Sequence, residues 1–388
     1  MKYALIELPN PNSAEAKYKS QIPTPNNLLQ TATALELAGH EVEVYNFFRE
    51  RYPEMIEADA YVFDFFPCTC MDYYGNFALE YLDSYRIFMG DKPAWVIGFY
   101  AWLNQEKMPF PVAPPRNFED IIAGPIGSIY DAEYPVNSNY YNAWHLFDFN
   151  SIPRYKDGHN RITIRASRGC PYSCSMCPVT LSHGGGILKR HPIAWVLHEI
   201  DMLYEEHDIW DIGFLDDNLF SDQAWAMELL LAMKAKGYRK KGLRFTFEEG
   251  LDVPTANNED IIRLLKENGF YHIKLGVETF DSKTLEAINK PYRNPALAIS
   301  AIKLLQSYKL SPVCFQMIGL PTQTRESITD DTQLFKREGV KVRAQILWEY
   351  PGTSVHPTLS AGDLKELCYN ALLETGSLTW KPKDKKEK

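Results

Sequence analysis

The sequence predicts an α/β protein in two successive units: a small parallel sheet covered by helices, then a curved parallel sheet or partial barrel. Three observations carry this. The chain opens on a strand, a helix, a glycine stop and a second strand, a βαβ signature. From Arg161 onward six strand-like runs alternate with helical patterns. The 388 residues are 45% apolar and 23% charged, which suits two or three globular domains rather than a disordered chain.

In the first unit the apolar run Tyr3 to Leu8 reads as a strand, followed by a helix from about Asn26 to Ala38, Gly39, and a strand from Glu41 to Phe47. His40 reads as part of the helix cap. Further strand-like runs are Ala60 to Phe66, Ala94 to Phe99 and Asp120 to Ala123, with a helical segment near Phe77 to Phe88. Cys68 and Cys70, at a strand exit, read more readily as small buried side chains than as a second metal site or a redox pair. Tyr100 and Trp102 read as packing aromatics or as the wall of a cavity. Between Tyr130 and Asp157 the chain is rich in Asn, Tyr and Pro and lacks either period, which predicts a linker crossing the surface.

The six runs of the second unit are Arg161 to Ala166, Ile209 to Leu215, Leu243 to Glu248, Tyr271 to Val277, Pro312 to Gly319 and Lys341 to Trp348. Between them Ile193, Val196, Leu197, Ile200 and Leu203 share one helical face. Ile261, Ile262, Leu264 and Leu265 lie in a short helix that Asn257 and Asp260 are placed to cap. Consecutive βα units gather ligands at the carboxyl ends of their strands. Lys381 to Lys388 has no apolar residue and reads as a frayed tail.

The formal charge of −9 argues against a large nucleic-acid footprint, which needs clustered Lys and Arg. No run approaches the ~20 apolar residues of a membrane span. The N-terminus carries Glu7 and Pro9 where a signal peptide needs an apolar stretch, so the expected location is cytoplasmic. Seven cysteines are too few for a disulfide scaffold, and in a reducing compartment grouped cysteines more often hold metal.

They are grouped. Arg168-Gly169-Cys170-Pro171-Tyr172-Ser173-Cys174-Ser175-Met176-Cys177 follows the first strand of the second unit and places three thiols in eight residues. Thiolates select soft metals, zinc or iron-sulfur clusters. Three ligands leave one position of a tetrahedral zinc, or one iron of a 4Fe-4S cube, unfilled, whereas a purely structural site closes its shell. A closed alternative is a zinc knuckle completed by His183 or His191, part of a non-catalytic metal-binding or electron-transfer module. Asp216 and Asp217 follow the second strand, where aspartate is also common in solvated turns. Glu248 and Glu249 end the third strand and Glu278 the fourth, as ligands or as turn residues.

The C-x3-C-x2-C spacing after the first strand of a βα run resembles the radical S-adenosylmethionine (SAM) superfamily. The resemblance extends to Phe214-Leu215-Asp216-Asp217-Asn218, to Gly276-Val277-Glu278-Thr279 with Asn289-Lys290, and to Gly319-Leu320-Pro321-Thr322-Gln323-Thr324. These phrases are similar to the branch with an N-terminal cobalamin-binding-like domain. The resemblance implies a Rossmann/flavodoxin-like cobalamin-binding-type domain over residues 1–130, a linker over 131–158, a partial (β/α)6 TIM-like barrel over 159–356 and a C-terminal tail over 357–388.

It further implies that Cys170, Cys174 and Cys177 ligate three irons of a 4Fe-4S cluster while the fourth iron chelates SAM. One electron then breaks the sulfonium bond, and the 5′-deoxyadenosyl radical abstracts a hydrogen atom from substrate. Asp216 and Asp217 stand where the family contacts the SAM amino group, Met176 where it packs near adenine, and Glu278 where polar groups meet the ribose or methionine moiety. The implied partners are an electron donor such as flavodoxin or ferredoxin and a small-molecule or peptide substrate that the sequence does not name.

Base-off cobalamin proteins use Asp-x-His-x-x-Gly, and no such string occurs here. A bound corrin would rest on Pro9 to Ser13, Pro67 to Asp72, Gly98 to Asn104 and Gly124 to Ser128. With cobalamin, the expected outcome is methyl transfer to an unactivated carbon. Without it, hydrogen abstraction leads to epimerisation, rearrangement or sulfur insertion.

Overall fold

A computed structural model describes residues 1–8, 26–46, 55–64, 71–97, 105–112, 141–151, 161–182, 188–350 and 352–377. In chain order the elements are β1 (Lys2–Glu7), α1 (Asn26–Leu37), β2 (Glu41–Asn46), β3 (Ala60–Asp64), α2 (Met71–Met89), β4 (Ala94–Ile97), β5 (Arg161–Ile164), β6 (Ser167–Gly169), α3 (Val179–Ser182), β7 (Leu188–Arg190), α4 (Ile193–His207) and β8 (Asp211–Phe214). There follow α5 (Gln223–Lys236), β9 (Arg244–Phe247), β10 (Leu251–Asp252), α6 (Val253–Ala256), α7 (Glu259–Asn268), β11 (Phe270–Glu278), α8 (Ser282–Ala287), α9 (Ala296–Ser307), β12 (Pro312–Ile318), α10 (Arg325–Arg337), β13 (Lys341–Ile346) and α11 (Ala361–Glu374). The chain divides into two compact units: residues 1–167, 182–184 and 189–215, and residues 168–181, 185–188 and 216–388.

In the first unit four parallel strands stand in the order β2-β1-β3-β4, the pattern of a flavodoxin-like sheet. Both faces are covered, which is why β1 and β3 read as apolar runs rather than alternating ones. Ala4, Ile6, Leu8, Tyr61 and Phe63 pack with Leu82, Tyr85 and Met89 of α2. The alternate residues Tyr3, Leu5, Ala60 and Val62 pack with Leu28, Ala32 and Leu35 of α1. The same unit holds β5 paired in parallel with β8, and α4.

Residues 141–151 depart from the expected surface linker: Ala143, Trp144 and Phe147 are buried. The cause is a buried carboxylate on α4. Glu199 accepts hydrogen bonds from Asn142 N (3.0 Å), Asn142 Nδ2 (2.7 Å) and Trp144 Nε1 (2.7 Å). Asn142 and Trp144 here supply donors, and the Tyr141 ring lies against α4, its centroid 3.7 Å from that of His198.

In the second unit β9, β11, β12 and β13 are neighbours in a parallel sheet, with β10 also pairing β11. Several helices of this unit start where a side chain satisfies the first free N–H groups. The cap of α7 is Asn258, whose Oδ1 accepts from the backbone of Asp260 and Ile261, rather than the expected Asn257 and Asp260. Thr324 and Ser327 form a reciprocal capping box on α10. Part of the segment expected to be a tail is α11, capped by Ser360, with Leu364, Leu367 and Ala371 buried at helical spacing. Lys381 to Lys388, Asp120 to Ala123, Cys68, Cys70, Tyr100 and Trp102 lie outside the described residues, as do the four expected corrin loops apart from residues 71 and 72.

Candidate active site

The cysteine loop and all the acidic candidates belong to the second unit. Gly169, at φ +87°, turns the chain into the loop in a conformation that a side chain would strain. Its N–H donates to Asp217 Oδ2 at 2.8 Å. Farther along, Ser175 N donates to the carbonyl of Ile288 at 3.0 Å, and Asn289 Nδ2 donates to the carbonyl (3.0 Å) and Oγ (2.9 Å) of Ser173. Cys177 N bonds to the carbonyl of Cys174 at 3.0 Å, folding the last three residues into a turn.

Cys170, Cys174 and Cys177 are free, half-buried thiols. Burial pushes Cys170 and Cys174 up and Cys177 up to about 12; charge on Cys170 adds to the rise at both others, while the Lys290 ammonium opposes it at Cys174. Among the described residues no three His, Cys, Asp or Glu side chains stand at coordinating spacing. Protonated thiols have no reason to converge; a bound cation deprotonates and gathers them. The donor set fits a soft cluster. So do two buried polar atoms with no hydrogen-bond partner beside it: Ser175 Oγ, within the loop, and Asn218 Oδ1.

After β8 three consecutive residues take different roles. Asp216 is buried at 2% exposure. Asp217 holds Gly169, so at least one of its oxygens is committed to the loop. Asn218 Nδ2 donates to Cys170 Sγ at 3.6 Å.

Glu278 ends β11 at φ +68°, an uncommon conformation for a side-chain-bearing residue. Its Oε1 accepts from Lys290 Nζ at 2.9 Å, and the two side chains are only 9% and 11% exposed. Burial works against the Lys290 ammonium, but the charges of Glu278 and Cys174 outweigh it and its pKa rises. Gly276 makes room for this pair, since a Cβ there would lie 3.3 Å from Glu278 Oε1 and 3.6 Å from Lys290 Nζ. Met176 packs against Ile288, Leu320, Leu347 and Val355, an apolar wall beside the loop.

Glu248 is engaged by Lys274 Nζ at 2.7 Å, and Glu249 is exposed. His191, offered by the zinc alternative, stacks on Trp195 at 3.8 Å within the first unit; His183 lies outside the described residues. Cys314 is fully buried, and Cys368 Sγ donates to the carbonyl of Ala344.

The structure thus adds Lys290 and Asn218 to the residues singled out by type. Neither a lysine nor an asparagine announces a site alone. The available signal is position, directly after Asp217 in one case and twelve residues after Glu278 in the other.

A profile of the radical SAM superfamily matches residues 164–335. An uncharacterized methyltransferase of Pyrococcus horikoshii is 28% identical over 220 residues, 56% of this chain and 46% of that protein. Hopanoid C-2 methylase of Rhodopseudomonas palustris is 27% identical over 169 residues, 42% of this chain and 31% of that protein. The chain therefore spans less than half the length of these curated relatives. Among solved structures, the radical SAM methyltransferase TsrM from Kitasatospora setae, with cobalamin and a 4Fe-4S cluster bound, superposes with a TM-score of 0.71 at 16% identity, covering 91% of this chain and 76% of that one. OxsB, a cobalamin-dependent SAM radical enzyme, gives 0.62 at 13% identity, covering 97% and 56%. At these identities the likeness is one of fold.

Proposed function

We propose that this chain, whose residues 164–335 match the radical SAM superfamily and whose fold is like that of cobalamin-dependent radical SAM enzymes, cleaves SAM reductively and abstracts hydrogen from an unidentified substrate, in service of a cobalamin-dependent methyl transfer. In this reading residues 1–130 form the cobalamin-binding-type domain and 159–356 the catalytic barrel. Cys170, Cys174 and Cys177 hold a 4Fe-4S cluster. When bound, that cluster supplies the electron for sulfonium cleavage and an open iron for the SAM amino and carboxylate groups.

The observation that carries the proposal is the cysteine loop: three thiols, anchored at Gly169, Ser173 and Ser175 by Asp217, Asn289 and Ile288. The remaining residues bind and orient. Asp216 offers a buried carboxylate to an ammonium, which a charge-assisted hydrogen bond favours. Glu278 and Lys290 present one anion and one cation, matching the zwitterionic end or the ribose of SAM. Met176 and its apolar neighbours offer a dry wall to adenine. Names of relatives such as hopanoid C-2 methylase, and the cobalamin held by TsrM, favour methyl transfer over epimerisation, rearrangement or sulfur insertion. A one-electron donor of the flavodoxin or ferredoxin type completes the system. Among the described residues no helix is long and apolar enough to cross a membrane.

The test is anaerobic reconstitution with iron and sulfide. The expected result is a brown protein absorbing near ~400 nm, as iron-sulfur thiolates do, which forms 5′-deoxyadenosine from SAM after dithionite and copurifies with or takes up cobalamin. Alanine at Cys170, Cys174 or Cys177 removes the colour, and Cys314→Ala does not. Stoichiometric zinc without iron would overturn the proposal.

A further inference from the structure

The Cys170 sulfur differs from its two companions in its surroundings. It receives a hydrogen bond from a neutral side-chain amide, Asn218 Nδ2, at 3.6 Å. This contact pulls against the burial that raises the Cys170 pKa. Asn218 is 6% exposed, and its other end, Oδ1, is buried without a partner. Among the described residues the sulfur is therefore the sole hydrogen-bond partner of this side chain. Once Cys170 is a cluster thiolate it only accepts, so the NH2 group must then point at Sγ. Immediately before Asn218 in the chain, Asp217 holds the residue before Cys170 through the Gly169 N–H. The register between this turn and the cysteine loop is thereby fixed one residue away from the amide-to-sulfur contact.

We propose that Asn218 is a positioning residue that tunes the cluster: its amide N–H donates to the Cys170 sulfur and raises the reduction potential, which eases the one-electron step that precedes SAM cleavage. The inference rests on the cluster assignment above. Reduction adds negative charge that is shared by the cluster sulfurs, so a donor aimed at one of them stabilises the reduced form more than the oxidised one. Asn218 itself is buried, and at low local dielectric such a donor acts more strongly than it would in water. No atom of Asn218 need touch SAM or substrate for this effect.

The experiment is a potentiometric titration of the reconstituted full-length protein, followed by electron paramagnetic resonance of the reduced cluster, without SAM or substrate. Wild type is compared with Asn218→Ala, which removes the donor, and Asn218→Asp, which keeps the shape but replaces the donor with an acceptor. Both variants are expected to hold wild-type iron and sulfide. Both should show a midpoint displaced to more negative potential, with the reduction equilibrium weakened at least tenfold, about 59 mV for one electron. The aspartate should be displaced further than the alanine. If only one variant retains iron, its midpoint decides the matter. Midpoints within twofold of wild type would overturn the inference while leaving the cluster assignment standing. Loss of iron in both variants would also overturn it, making Asn218 an assembly residue. A wild-type protein with no cluster signal would remove the assignment itself and this inference with it.

Discussion

The carboxylate of Asp217 accepts the backbone N–H of Gly169 at 2.8 Å, fastening the turn after β8 to the mouth of the cysteine loop. A carboxylate in the position where a SAM contact is expected is thus spent, in part, on holding a backbone. Asp217→Ala should leave that N–H without its acceptor, at a cost of roughly 1–3 kcal/mol for a buried unmade bond. Most of the damage should fall on the loop. The expected outcome is iron incorporation reduced by half or more, with a thermal midpoint lowered by only a few degrees. Iron analysis beside circular dichroism melting separates the two. Asp217→Asn, which keeps an acceptor oxygen, should retain more iron than the alanine variant.

Glu278 and Lys290 form the most buried ion pair of the site, and breaking it from one side should be expensive. Lys290→Met leaves a buried carboxylate without its cation. Removing one partner of such a pair costs about 3–5 kcal/mol, whereas replacing both costs far less. Urea unfolding of Lys290→Met, Glu278→Gln and the double variant should therefore show the double variant more stable than Lys290→Met alone. Gly276→Ala, whose added carbon would lie tight against Glu278 Oε1, should weaken SAM binding by tenfold or more. That effect is measured by equilibrium dialysis on the reconstituted protein.

Much of the scaffold is legible in the sequence because period and punctuation agree with it. The run Tyr3 to Leu8 and the buried face of α7 are set by apolar spacing, and the six runs from Arg161 coincide with strands. On α4 the expected face is met at Val196, Ile200 and Leu203, while Ile193 and Leu197 are half-buried and Trp195 and Glu199 are buried. The C-x3-C-x2-C string is legible because few other arrangements need three thiols so close. Residues 141–151 and α11 were harder to read. Trp144 is buried by a single carboxylate some fifty residues away, on α4, a contact that no local pattern encodes. Leu364 and Leu367 carry a helix face, but in so short a stretch that it is indistinguishable from scattered leucines until it meets Gly319. Asn218 is illegible for a different reason: its significance lies in one amide facing one sulfur.

Gly319 illustrates a backbone requirement and a packing requirement at one position. Its φ is +95°, and a Cβ placed there would lie 2.7 Å from Leu364 Cδ2 of α11. Gln323 completes the turn by accepting from Gly319 N (2.8 Å) and Leu320 N (2.7 Å) through Oε1. Gly319→Ala should destabilise the second unit by about 1–3 kcal/mol, the range for overpacking, with backbone strain added. Leu364→Ala, which opens the space, should recover part of that loss in the double variant. Chemical denaturation of the four proteins in the cycle measures the coupling.

The buried Glu199 carboxylate makes stability depend on pH in a direction opposite to that of most acids. Burial is the largest influence on it, and the three hydrogen bonds from Asn142 and Trp144 only partly compensate, so its pKa rises from the ordinary 4.5 to about 7. The folded protein then binds this proton more tightly than the unfolded chain does. Its contribution to stability is full below about 4.5 and fades as pH climbs through about 7. At 1.36 kcal/mol per pH unit the full effect is roughly 3 kcal/mol. Glu199→Gln removes the titration while keeping the shape. Other groups titrate alike in both proteins, so the informative quantity is the difference between their melting temperatures. Wild type should gain on the glutamine variant by several degrees between pH 8 and pH 5, measured by scanning calorimetry at constant ionic strength. A difference that stays flat, or that shrinks toward pH 5, would mean that Glu199 remains ionised across this range and that its three donors outweigh its burial.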